Sequence, residues 1–173
     1  FIPYFIDLMK ILHAPNNKKY NKGFSNSFVI THAINSEGAY NHKDSEIIIK
    51  AIESLKKKGL KINFKFFVGS NHETILKEIA KSDLHIDQMK IGWYVTISAE
   101  AMALGTPSAC YIRPDLEKYS KNLPIIRLNK SNITQTIENL ILDNDKRKNI
   151  SQKGIAYAKE THNGPVIAKK LLK

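Results

Sequence analysis

The sequence predicts an α/β protein, a three-layer sandwich with a mostly parallel sheet wound by helices on both faces. Three observations predict it. Short apolar runs alternate with amphipathic helical stretches along the chain. Cap-forming residues mark the joints between them. And 173 residues, with 42% hydrophobic and 25% charged side chains, make one ordinary globular domain large enough for a core.

The elements follow in order. Ser27 to His32 is a short apolar strand, followed by a polar loop from Ala33 to Lys43. Asp44 to Lys58 is an amphipathic helix with Ile47, Ile48, Ala51, Ile52 and Leu55 on one face, closed by Gly59. Lys61 to Val68 is the second strand. Ser70-Asn-His-Glu73 has the spacing of a capping box and opens a helix to about Lys81. Leu84 to Asp87, Ser108 to Ile112 and Pro124 to Leu128 are the remaining strands. Helices over 132–142 and 145–160 and a last one from Pro165 complete the chain. Residues 1–26 fit less well. Phe1 to Leu8 reads as a strand or linker entering the domain, and the lysine-rich stretch from His13 to Phe24 as an exposed loop.

The stretch from Gly92 to Pro107 carries most of the functional signal. The loop Gly92-Trp93-Tyr94 runs through Val95 and Thr96 into a helix of small residues, with one carboxylate, Glu100, a turn inside. Gly105 stops that helix. Exposed amides at a helix start suit an anionic ligand, and a carboxylate a turn further can accept hydroxyls from a ribose or sugar. In open α/β sheets ligands bind at the carboxyl ends of the strands, where the strand order reverses. That rule nominates the loop after His32, the Gly69-Ser70 turn, the Asp87 to Trp93 loop and the Arg113 to Leu123 loop.

Several chemistries find no support. The six histidines show no His-x3-His spacing and pair with no cysteine, so no metal is expected. Cys110 is alone and in an apolar strand, where a thiol is a small buried hydrophobe. No nucleophile elbow, Walker loop or Gly-x-Gly-x-x-Gly is present. No apolar run approaches a membrane span. The net charge of +11 comes almost wholly from lysine, the arginines being Arg113, Arg127 and Arg147. Scattered lysines read as a solvated surface or as attraction to an anionic partner; nucleic acid would call for arginines with interleaved aromatics, and none cluster. A reducing, cytoplasmic setting is consistent with this composition.

Residues 27–172 resemble the C-terminal, donor-binding, Rossmann-like domain of retaining GT-B glycosyltransferases, the large group of bacterial polysaccharide mannosyl- and glucosyltransferases. The match lies in Ile86-Asp87-Gln88-Met89-Lys90-Ile91-Gly92-Trp93-Tyr94 and in Ala99-Glu100-Ala101-Met102-Ala103-Leu104-Gly105-Thr106-Pro107, similar to the family's Glu-Ala-Met-Ala-x-Gly-x-Pro signature. Phe1 to Leu8 resembles the segment joining the two GT-B domains, with Phe5 where glycine is usual. The resemblance implies residues 1–26 as an interdomain linker, 27–173 as the nucleotide-sugar domain, and an acceptor-binding half preceding Phe1. It implies a nucleotide-diphosphate sugar as co-substrate with no cofactor, and a glycan or lipid-linked acceptor reached through the other half. Peripheral contact with the inner face of the cell membrane would suit the lysines.

Carried over residue by residue, Glu100 matches the second glutamate of a Glu-x7-Glu motif and is expected on the ribose; the plain alternative is a carboxylate favoured by the helix dipole. Gly92 stands where the first glutamate is usual and offers only its backbone. Lys43 matches a phosphate-binding lysine, with Asp44 in place of the following glycine as a helix cap. No arginine accompanies it, and His42 assists only when protonated. His32 is either a pocket residue or a satisfied structural histidine. Asp87 and Gln88 line the base or ribose pocket or pin the loop, and Trp93 and Tyr94 face the donor or pack beneath it. Gly69 belongs to the same edge. No catalytic residue is assigned. Two alternatives stay open: a non-catalytic sugar-nucleotide-binding domain, and a nucleotide-sugar epimerase of GT-B type.

Overall fold

A computed structural model describes Ile6, Ile11, residues 27–119 and residues 122–172. The linker and exposed-loop readings for 1–26, and the domain boundary there, lie outside these residues apart from two isoleucines. Both Ile6 and Ile11 are buried, and Ile6 forms a bridge with Asn163.

The elements run β1 (Phe28–Ile34), α1 (Ala39–Lys43), α2 (Ser45–Lys57), β2 (Ile62–Val68), α3 (His72–Lys81), β3 (Leu84–Ile86), α4 (Thr96–Ala103), β4 (Ser108–Cys110), a 3-10 turn (Pro114–Tyr119), β5 (Ile126–Arg127), α5 (Ile133–Leu142), α6 (Asn144–Thr161) and α7 (Gly164–Leu171). The five strands form one parallel sheet in the order β2-β1-β3-β4-β5. The order reverses between β1 and β3, which places the switch point at the loops following those two strands.

Each face of the sheet carries its own core. Beneath α2 and α5 lie large aliphatics: Ile30, Ile48, Ile52, Leu55, Leu84, Ile86 and Ile137. The helical spacing read from the sequence supplies α2's share, Ile48, Ala51, Ile52 and Leu55. The other face packs α3, α4 and α6, with Ile75, Leu76, Ile79 and Met102 beside small residues such as Ala33, Ala99, Ala101 and Cys110. Here α4 is buried almost all round, from Ser98 to Ala103, because it is built of small side chains. Gly154 on α6 lets that helix approach it; a Cβ there would stand 3.4 Å from Met102.

Several joints differ from expectation. β1 runs on through Ile34, and the polar loop after it contains α1. β4 ends at Cys110 rather than Ile112. The cap of α3 is Asn71, whose side chain accepts from the Glu73 amide at 2.9 Å, not Ser70. Asp44 precedes α2 without capping it through its side chain; its φ of 52° turns the chain sharply between α1 and α2. Cys110 is fully buried, as its strand pattern predicts.

Candidate functional site

The site is assembled by one buried carboxylate. Asp87 follows β3 directly and has no exposed surface. One of its oxygens bonds the Lys43 ammonium at 2.8 Å, which joins the loops after β1 and β3 across the switch point. The other accepts from the Val95 amide at 3.1 Å and the Ser98 hydroxyl at 2.8 Å. Burial works against the Asp87 charge, but the Lys43 ammonium, His85 and the Val95 amide outweigh it and hold its carboxyl below the usual range. Asp87 therefore fixes where α4 begins.

Gln88 shapes the loop that follows. Its side-chain oxygen accepts from the Lys90 and Ile91 amides, and its nitrogen donates to the Trp93 and Tyr111 carbonyls. The loops after β3 and β4 are also joined by their backbones, Tyr111 donating to Gln88 and Arg113 to Gly92, both at 2.9 Å. Gly92 has φ 91°, and a Cβ there would meet the Arg113 Cβ at 3.0 Å. Both facts favour glycine at this position and explain the missing glutamate.

What remains open at the start of α4 is chemically specific. The Val95 amide is occupied by Asp87, and the Ser98 and Ala99 amides reach the Val95 carbonyl. The Thr96 and Ile97 amides have no partner among the described residues, and Thr96 is exposed. One turn on, Glu100 keeps 9% of its side chain exposed. Both its oxygens lie 3.0 Å from Nε2 of His72, the first residue of α3. The Gly69 turn just before α3 is tied to β1 by its amide, which donates to the Ile34 carbonyl. Two donors and a carboxylate acceptor thus share the carboxyl-end edge of the sheet.

The other expected residues divide. His32 is buried, with Nδ1 on the Ile86 carbonyl and Nε2 on Ser45 Oγ, both at 2.8 Å; burial lowers its pKa to about 4. Tyr94 is buried, with its hydroxyl 3.1 Å from His162 Nε2, and Trp93 packs beside it in the core. Of the two roles open to His32, Asp87, Gln88 and Tyr94, the bonds found are those of the structural one: their polar groups bond inside the protein, where they position the loops. The Val95 amide belongs to Asp87. Lys43 is held by Asp87 and by the Ala33 carbonyl, at 2.8 and 3.0 Å, so two of its three donors are committed. His42 and Gly69 are exposed on the same edge. The sequence reading missed His72, which it saw only as part of a cap.

Two surface concavities lie elsewhere. One of about 570 Å³ is lined by Asn139, Leu142, Asp143, Asn144, Asp145 and Lys146; another of the same volume lies beside β5 and α6. Neither gathers convergent polar groups near the strand carboxyl ends, so the geometry of the α4 edge outweighs them. No described helix is long and apolar enough to cross a membrane.

No protein-family model and no curated protein matches the chain. Solved structures do. HepE from Anabaena, in complex with UDP, matches with a TM-score of 0.63 at 17% identity, over 85% of this chain and 48% of that one. WaaG, a glycosyltransferase involved in lipopolysaccharide biosynthesis, matches at 0.62 and 13%, over 98% of this chain and 54% of that one. A UDP-N-acetylglucosamine 2-epimerase matches at 0.57 and 15%, over 88% and 46%. The chain spans about half the length of these structures, and its fold is that of one Rossmann-like half of a GT-B glycosyltransferase.

Proposed function

We propose that this chain is the donor-binding half of a glycosyltransferase that transfers a sugar from a nucleotide diphosphate, with retention, to a glycan or lipid-linked acceptor in cell-surface polysaccharide synthesis. The observation that carries the reading is the pairing of the uncommitted Thr96 and Ile97 amides with Glu100 one turn inside α4, at the switch-point edge. Phosphate oxygens accept from the amides, and ribose hydroxyls donate to the carboxylate. The fold shared with UDP-bound HepE supports a nucleotide as the ligand.

The leaving diphosphate gains charge as the glycosidic bond breaks. Fixed amides and the remaining Lys43 proton meet that charge without rearrangement, which is electrostatic catalysis needing no cofactor. An edge of this kind forms one wall of a cleft, and the acceptor belongs to the opposite wall. The reading places the protein at the cytoplasmic face of the membrane, where the lysine-rich surface suits anionic lipids.

Calorimetric titration with UDP, GDP and their sugars tests the reading. Glu100→Gln is expected to weaken binding about tenfold to a hundredfold, as for the loss of charge-assisted hydrogen bonds. Absence of binding to any nucleotide overturns it. The epimerase reading, favoured by the match to that enzyme, predicts the same binding but interconversion of UDP-N-acetylhexosamines with no acceptor added.

A further inference from the structure

We infer that Arg113 is an additional donor-binding residue, whose guanidinium exchanges Asp115 for an oxyanion of the donor. The inference rests on the nucleotide-sugar reading above and adds a residue that neither the sequence motifs nor that reading assigns.

The proposed site has few arginines to draw on. Lys43 is largely committed to Asp87 and the Ala33 carbonyl. No arginine stands on the loop after β1. Of the arginines, Arg147 donates to the Leu140 and Ile141 carbonyls and lies over Phe28, and Arg127, the last residue of β5, pairs with Glu117. Arg113 alone rises from a carboxyl-end loop that is joined to the loop opening α4.

Its placement there is built rather than incidental. The Arg113 amide donates to the Gly92 carbonyl at 2.9 Å. Its side chain then crosses the face of Gly92: a Cβ at residue 92 would lie 3.0, 3.6 and 3.8 Å from the Arg113 Cβ, Cδ and Cγ. The space that a side chain at 92 would take is filled by the arginine stem. Gly92 and Arg113 thus act as one device, replacing a short side chain on one loop by a cation from the next.

The guanidinium is already arranged for an oxyanion. Nε and one terminal nitrogen donate to the two oxygens of Asp115, at 2.5 and 2.8 Å. This is the planar two-bond fork that also fits phosphate and carboxylate. The pair is more than half exposed on both sides, and water screens such pairs strongly. An exposed pair of this kind is open to exchange of Asp115 for a ligand oxyanion. The shared chemistry is a pair of anionic oxygens, supplied either by the diphosphate or by the carboxylate of an acidic sugar.

Calorimetry of the chain with uridine, UDP, UDP-glucose and UDP-glucuronate tests this. Arg113→Gln keeps the stem over Gly92 and removes the charge. It is expected to weaken UDP about tenfold or more, leaving uridine within about twofold. Asp115→Asn frees the guanidinium and is expected to tighten UDP severalfold. Equal losses for UDP and both sugars assign the oxyanion to the diphosphate; a loss confined to UDP-glucuronate assigns it to the sugar carboxylate. If Arg113→Gln leaves all three anionic ligands within about twofold while Glu100→Gln still weakens them, the inference fails and the nucleotide-sugar reading stands. A loss shared equally by uridine also overturns it, as a defect of folding. Failure of the unaltered chain to bind any of them overturns both.

Discussion

The two faces of the sheet are packed on different principles. Beneath α2 and α5, Ile30, Ile52, Leu84 and Ile137 interlock as large aliphatics. Beneath α3 and α4, the sheet presents Thr31, His85, Asp87 and Ser108 to Ser82 and Ser98, and hydrogen bonds run through the layer. Thr31 Oγ1 lies 3.1 Å from both Ser82 Oγ and His85 Nδ1, and Ser108 Oγ donates to Ser98 Oγ at 3.1 Å. Aliphatic packing tolerates adjustment of shape, whereas a buried polar layer specifies one arrangement, since every group left unpaired costs free energy. The candidate site hangs from the polar face. The difference teaches that both faces stabilise the domain, while the polar layer also sets the start of α4.

Asp87→Ala is the sharpest way to break that comparison. It leaves the Lys43 ammonium, 13% exposed, without its carboxylate and strips two donors at α4 of their acceptor. The expected loss is about 3–5 kcal/mol, read by denaturant unfolding. Ile52→Ala on the aliphatic face is expected to cost a comparable ~2–5 kcal/mol while leaving nucleotide affinity unchanged, whereas Asp87→Ala also abolishes it. Equal effects of the two variants on affinity would remove the distinction between the faces.

Acid probes both faces at once. Burial lowers His32 from its ordinary 6.5 to about 4 and His85 to about 3. Both imidazoles are neutral in the folded chain, while the unfolded chain takes up their protons below about pH 6.5. The unfolded state thus binds more protons, and stability falls as pH drops from about 6.5 toward 4, by up to about 1.4 kcal/mol per pH unit for each histidine. Above about pH 7 neither group contributes a slope. His85→Gln in the polar layer and His32→Gln opposite it separate the two contributions in pH-dependent melting curves.

Gly92→Ala is the mildest of the tests. A side chain at φ 91° and 3.0 Å from Arg113 is expected to cost about 1–2 kcal/mol, visible as a lowered Tm. Gly59→Ala, at φ 90° with nothing within 4 Å, supplies the reference for the backbone cost alone.

Much of this was legible in the sequence. The face of α2, the small-residue character of α4 and the place of Glu100 follow from spacing and composition, which act within one or two turns of chain. The signature stretch lies at the carboxyl-end edge of the sheet, at the start of α4. What it could not convey was which side chains of that edge point outward. His32, Gln88 and Tyr94 look like site residues by position, yet each is consumed by partners supplied from other elements. His72 looked like part of a cap, yet it meets Glu100.

The sequence by itself determined the order of strands and helices, the aliphatic face and the position of α4, because hydrophobic periodicity and capping are local. Only the tertiary structure decided that Lys43 serves Asp87 across 44 residues, that His72 meets Glu100 across 28, and that Arg113 covers Gly92. Those pairings arise along the carboxyl-end edge of the sheet, where separate loops converge. Hydrogen bonds and charges act over a few ångströms in space, whatever the distance along the chain.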